Sequence, residues 1–186
     1  LNFENNFSEL FLSLTSSISN VGFSLNSSPN NLSFVFLILV IIGGSFFSTS
    51  SGIRFLKIYS LFKYSINEIL SYSRPKNIYI NKHLFSKDSF KLDEIYKYFL
   101  SVIVFIISLL ILTFLLTLSG IDFESSFKLS ILTIMNTVNS SMFGLGDFSF
   151  YDLHFMTKYY LIFFMIVGRL ELLTLLIICK KFLFKN

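Results

Sequence analysis

Arg169 and Glu171 stand in the middle of an otherwise apolar stretch, residues 159–178, flanked by Lys158 on one side and by Lys180 and Lys181 on the other. About 20 apolar residues suffice to cross a bilayer, so both charges fall near its midplane. An ionised group at that depth is costly unless protein or water meets it. Residues two apart lie on different faces of a helix, so Arg169 and Glu171 pair poorly with each other. A partner is available elsewhere. Residues 43–52 (Gly-Gly-Ser-Phe-Phe-Ser-Thr-Ser-Ser-Gly) interrupt an earlier apolar run and carry hydroxyls and free backbone carbonyls. The chemistry such residues offer is the handling of a cation at membrane depth.

Two further segments carry glycine after a short, half-polar helix: Ser19-Asn20-Val21-Gly22-Phe23 and Met142-Phe143-Gly144-Leu145. A helix that enters the membrane, turns and leaves on the same side is re-entrant, and its non-helical backbone must be buried in protein or line water. Backbone carbonyls aimed inward from such turns can replace the hydration shell of an ion. Glycine suits the turn because it reaches the backbone conformations that aim them. A glycine-containing extracellular turn would carry the same spacing.

The elements that must position these residues are those of a membrane protein. Hydrophobic residues make up 53% of the chain, charged ones only 14%, and Phe alone contributes 25 of 186 residues. A soluble domain of this length has too little interior to hide that much apolar surface. Cys179 is the single cysteine, which excludes an internal disulfide and a cysteine zinc cluster. His83 and His154 have no metal-ligand neighbours in sequence, and nothing resembles a protease triad. The chain opens with Leu1 and has no basic-then-apolar leader, so a fragment or processed piece of a longer protein is expected.

Helical periodicity runs over residues 2–19; an intensely apolar run covers 33–42 and resumes past the glycines as an amphipathic helix over 53–71. Residues 99–118 form an uninterrupted apolar run of spanning length, 123–138 form a second short half-polar helix, and 159–178 form the last apolar stretch. Two units emerge, each with a short helix, a glycine turn, a polar link and a helix broken by glycine. Gly22 and Gly144 lie 122 residues apart, and Gly43 and Gly168 lie 125 apart. The expected organisation is residues 1–71 as one repeat without its first helix, 72–91 as a loop, and 92–186 as a complete repeat. The fold class is an all-α membrane protein of helix–re-entrant loop–helix repeats whose second helices are broken.

Nine of the fifteen Lys and Arg residues fall between Arg54 and Lys97, and three more lie in the tail. The positive-inside rule puts both regions in the cytoplasm. The opposite face carries Glu4, Glu9, Asp122, Glu124, Asp147 and Asp152 against Lys128 and Lys158. An acidic mouth raises local cation concentration, although solvated surface charges explain the same pattern. The basic region 54–97 suits anionic lipid or a cytosolic partner; nucleic acid is not implied.

These motifs resemble those of the Trk/Ktr/HKT superfamily of potassium transporters. Gly43-Gly44-Ser45, Ser48-Thr49 and Gly52-Ile53-Arg54 resemble its GGSxGSTxGGIK segment, and Ile166-Val167-Gly168-Arg169-Leu170-Glu171 its GRLE segment. Ser19-Asn20-Val21-Gly22-Phe23-Ser24 is similar to its third filter sequence. The resemblance covers essentially the whole chain and matches the third repeat without its first helix, plus the fourth. It implies a potassium uptake pore in a bacterial-type inner membrane, multi-pass and not an enzyme. K+ would be held only at the filter, with no cofactor in this chain.

By the same resemblance the filter comprises Asn20, Val21, Gly22 and Phe23 with Met142, Phe143, Gly144 and Leu145. An alternative alignment from Asn139 puts Met142 on the filter glycine. The gate comprises Gly43, Gly44, Ser45, Ser48, Thr49, Ser50, Gly52 and Arg169. A homodimer and a cytosolic nucleotide- or NAD-binding regulatory subunit are also implied. Two departures stand out: Phe47 and Ser51 replace expected glycines, making the loop bulkier. Passage of sodium or of monovalent cations without selection remains an alternative. So does a non-conducting remnant or assembly partner.

Overall fold

The computed structural model describes residues 3–24, 32–43, 55–73, 92–139, 141–145, 148–151, 153–169 and 181. These form α1 (Phe3–Ile18), α2 (Ser33–Ile42), α3 (Phe55–Ser73), α4 (Leu92–Leu118), α5 (Phe123–Met135) and α6 (Phe155–Arg169), with a 3-10 turn at Ser141–Phe143. No strand occurs among the described residues.

α4 holds a segment long and apolar enough to cross a membrane, Glu94–Leu118, which at 1.5 Å per residue is ~38 Å long. One face, bearing Phe105, Leu109, Leu112 and Leu116, is buried; the other leaves Phe99, Ile106, Ile107, Leu110, Ile111, Phe114 and Leu118 exposed. A contiguous apolar stripe of this size is untenable in water, and bilayer hydrocarbon is the solvent it matches. α6 is built alike, burying Leu161, Phe164 and Val167 while Ile162, Phe163 and Ile166 face outward.

α5 occupies the centre and packs on α2, α4 and α6. From Leu129 to Met135 every residue is buried. Buried hydroxyls on such a helix need partners inside the protein. Ser130 Oγ donates to Ser126 O at 2.7 Å and Thr133 Oγ1 to Leu129 O at 2.6 Å. Thr113 Oγ1 of α4 donates to Ser130 Oγ at 3.1 Å, joining the two helices.

α2 spans only ~15 Å at helical rise, half a bilayer core. It buries Ser33, Phe36, Leu37 and Val40 at helical spacing and packs between α1 and α5, so it joins the two repeats. It stops at Gly43, whose backbone is extended (φ −59°, ψ 171°). α3 returns beyond the break and packs on α4, where Lys57 Nζ lies 3.4 Å from Ser101 Oγ.

The expected helices are present with shifted ends. α4 begins seven residues before the expected Phe99, and α5 ends at Met135 rather than Val138. Gly168 lies within the helical span of α6, next to its last described residue, Arg169. The expected continuation over 170–178 lies outside the described residues, as does most of the loop 72–91 with His83.

Candidate functional site

The two short helices α1 and α5 end in the same way. Asn20 and Asn136 both take the left-handed conformation, at φ 57° and 53°, and are the non-glycine residues with positive φ among those described. Asparagine is one of the few side chains that tolerates it. Asn20 N–H donates to Ser17 O at 3.2 Å and Val21 N–H to Ser16 O at 3.0 Å; Asn136 N–H donates to Thr133 O at 3.2 Å and Thr137 N–H to Leu132 O at 2.9 Å. The acceptors lie three and five residues back in both cases, the closure of a left-handed helix C-cap.

The two exits then meet. Val138 N–H donates to Val21 O at 3.2 Å. Gly22, at φ +81°, lies so close that a Cβ on it would stand 2.3 Å from Val138 O and 2.8 Å from Thr137 Cγ2. Both the dihedral and the space therefore require glycine here. Val21, Phe23 and Val138 are exposed beside this contact. On the α5 side, Thr137 Oγ1 and Asn139 Oδ1 are buried oxygens without a hydrogen-bond partner among the described residues. Such oxygens are costly, and each is an acceptor that a cation could use.

Matching the caps aligns the repeats at a spacing of 116 residues, so that Val21 corresponds to Thr137 and Gly22 to Val138. Gly144, 122 residues from Gly22, belongs to a later turn. It takes φ +72°, but its neighbours differ: Met142 and Phe143 are fully buried and Leu145 nearly so, all within the apolar core. Ser17 Oγ reaches Met142 Sδ at 3.7 Å. The Lys128 ammonium lies 3.2 Å from where a Gly144 Cβ would sit. Lys128 pairs with Glu124 at 2.5 Å. At the N-terminal end of α5, outside the spanning segments, that hydrogen bond and charge hold the Glu124 carboxyl below the usual carboxylate range.

The structure thus brings Val21 and Gly22 against Thr137 and Val138, while on either side of the same exit Ser17 Oγ lies 3.7 Å from Met142 Sδ and Ser24 Oγ 3.5 Å from Ser141 Oγ. Sequence reading searches these turns for glycine and takes Asn139 only as the start of an alternative alignment; the signal for the shared cap is the asparagine at each helix end, Asn20 and Asn136. Gly43 is buried beneath the first exit, and Arg169 is exposed at the end of α6. The rest of the expected gate, Gly44, Ser45, Gly52 and the expected Arg169 partners Ser48, Thr49 and Ser50, lies outside the described residues. His154 stands before α6, its Nδ1 accepting from Met156 N–H at 3.3 Å.

The model of the TrkH family, described as cation transport protein, matches residues 2–184. The chain belongs to this family. It is a family of transport proteins rather than an enzyme class, and membership makes the chain an integral membrane protein. The crystal structure of the potassium transporter TrkH from Vibrio parahaemolyticus matches with a TM-score of 0.76 at 23% identity. The match covers 94% of this chain and 37% of that one, so the chain spans little over a third of the transporter's length. The likeness establishes a Trk-type, all-α membrane fold. No curated protein matches the chain.

Proposed function

We propose that the chain forms part of the pore-forming subunit of a potassium uptake system, supplying two of the walls that line its filter. The observation that carries this reading is the pairing of the two helix exits: Val138 N–H to Val21 O, with Gly22 seated against it. Two re-entrant helices that end in matched turns, with backbone meeting backbone, suit a site where carbonyls and hydroxyls replace ion hydration. The third-repeat wall is Asn20, Val21, Gly22 and Phe23. Residues 136–139 serve as the fourth, in preference to Met142, Phe143, Gly144 and Leu145, whose turn is packed in the core beside an ammonium. Residues 1–71 and 92–186 are the two repeats.

Vesicles carrying the full-length protein test the reading through uptake of K+ against Na+. Preferential K+ entry is expected; no cation flux in a well-folded preparation overturns it in favour of a non-conducting assembly role. A sodium or unselective pore is the second reading, favoured by Val138 at the position matching Gly22. A valine with negative φ aims its carbonyl differently from a glycine at +81°.

The lysine and arginine bias supports a topology with residues 54–97 and the tail in the cytoplasm, where a nucleotide- or NAD-binding regulatory subunit would dock on a homodimer. In a Cys179→Ser background, Leu84→Cys should resist an impermeant thiol reagent added outside, and His154→Cys should react. Outside labelling of position 84 would sink the topology.

Arg169 next to Gly168 suits a gate held by contact with the hydroxyl-bearing loop that follows Gly43. Arg169→Ala should raise basal flux severalfold, and so should deletion of residues 48–50. Combining the two should add little, because they break one interaction. Additive increases at equal protein levels would mean that arginine and loop act separately.

A further inference from the structure

The asparagines that cap α1 and α5 reach beyond their own turns. The Asn136 side-chain amide donates to Met165 O of α6 at 3.0 Å. The Asn20 amide, oriented so that its nitrogen faces the surrounding carbonyls, donates to Val40 O of α2 at 3.1 Å and to Ser17 O at 3.2 Å. Val40 and Met165 each lie three residues before a glycine, Gly43 and Gly168. Those glycines in turn touch the capped helices. A Cβ on Gly43 would lie 2.7 Å from Ile18 O and 2.9 Å from the Asn20 amide; one on Gly168 would lie 2.1 Å from Ile134 O and 3.2 Å from the Asn136 amide nitrogen. Ile18 and Ile134 each lie two residues before their asparagine. The same four-part contact therefore recurs in both repeats.

We propose that Asn20 and Asn136 are positioning residues that clamp each filter turn to the glycine of the second helix in its own repeat. This rests on the reading of those turns as filter walls. The backbone of each asparagine starts the turn, and its side chain holds a carbonyl one helical turn short of the glycine. Val40 O is among the last four carbonyls of α2, which lack a partner within their own helix. Met165 O has a second lone pair for the amide. A shift of either second helix at its glycine thereby pulls on the start of the turn, so the glycine and the turn move together. Capping alone would require only the left-handed backbone, which glycine supplies as well as asparagine. The glycine-facing amide in both repeats is the part that capping does not account for.

Asn20→Gly and Asn136→Gly separate the two roles, because each keeps the backbone conformation and removes the amide. In the purified full-length protein, Asn136→Gly should speed amide hydrogen exchange at residues 136–139 and also at 165–169, each about fivefold, as expected for the loss of one amide–carbonyl bond. Asn20→Gly should do the same at 20–23 and 40–43. Faster exchange in the turn alone, or in neither segment, would overturn the clamp. In vesicles each variant should also lower the K+ over Na+ flux ratio severalfold. Asn136→Asp, which keeps the shape but turns an acceptor toward Met165 O, should not rescue either readout. Exchange needs no transport, so the two readings fail separately. A wild-type protein without K+ preference but with linked exchange defeats the potassium reading and leaves the clamp standing. A selective wild type whose glycine variants behave identically to it defeats the clamp.

Discussion

Gly22→Ser should lower the K+ over Na+ preference of the full-length protein at least tenfold. Two effects act together. A side chain at φ +81° is in a region that costs L-residues roughly 1–2 kcal/mol. The new Cβ would also stand 2.3 Å from Val138 O, a backbone atom that cannot rotate aside. The turn must retreat, which lengthens or breaks the Val138 N–H to Val21 O bond and moves the carbonyls of the proposed filter wall. A change of about 1.4 kcal/mol in the difference between two ions is a factor of ten. Gly120 supplies the control. It has φ +89° with nothing within 4 Å of a Cβ, so Gly120→Ser carries the backbone strain without the collision. Flux ratios measured in vesicles at equal protein levels should fall for Gly22→Ser and hold for Gly120→Ser. An unchanged ratio in the first would show that residues 19–23 are not a filter wall.

Gly168→Ala should be strongly destabilising for a single-methyl substitution. Its Cβ would come within 2.1 Å of Ile134 O and 3.0 Å of the Ile134 carbonyl carbon. Ile134 belongs to α5, which is packed on α2, α4 and α6 and has little freedom to yield. Overfilling a tight contact of this kind typically costs about 1–3 kcal/mol, and the upper part of that range fits backbone on both sides. Separating α5 from α6 would also stretch the Asn136 amide from Met165 O. Thermal unfolding of the purified protein in detergent should show a clear drop in midpoint for Gly168→Ala. A smaller drop is expected for Gly43→Ala, where the closest contacts are 2.7 Å. Equal midpoints for wild type and Gly168→Ala would mean that α5 and α6 are not held at this spacing in the membrane protein.

The helices were legible in the chain because each reflects local bookkeeping between side chains and solvent. The run Ser33–Ile42 has no polar face, which matches a short helix placed between protein and lipid. The long apolar stretch up to Leu118 is of spanning length, and both follow from residues adjacent in sequence. The family was legible too, through the Gly43-Gly44-Ser45 and Gly168-Arg169-Leu170-Glu171 segments. Left to tertiary structure was which segment after α5 meets Gly22. A search by glycine selects Gly144, since glycine most readily adopts positive φ. The chain meets the same need at the helix end with Asn136, whose side-chain amide also bonds outside its own helix. Its acceptor, Met165 O, is 29 residues away, and that of Asn20 is Val40 O, 20 residues on. No local pattern announces either bond. The requirement for glycine at 168 is likewise set by Ile134 O, an atom of another helix. Amino-acid type and spacing thus determined the solvent each helix faces. Packing between helices decided which backbones touch, because those contacts join atoms that sequence separates.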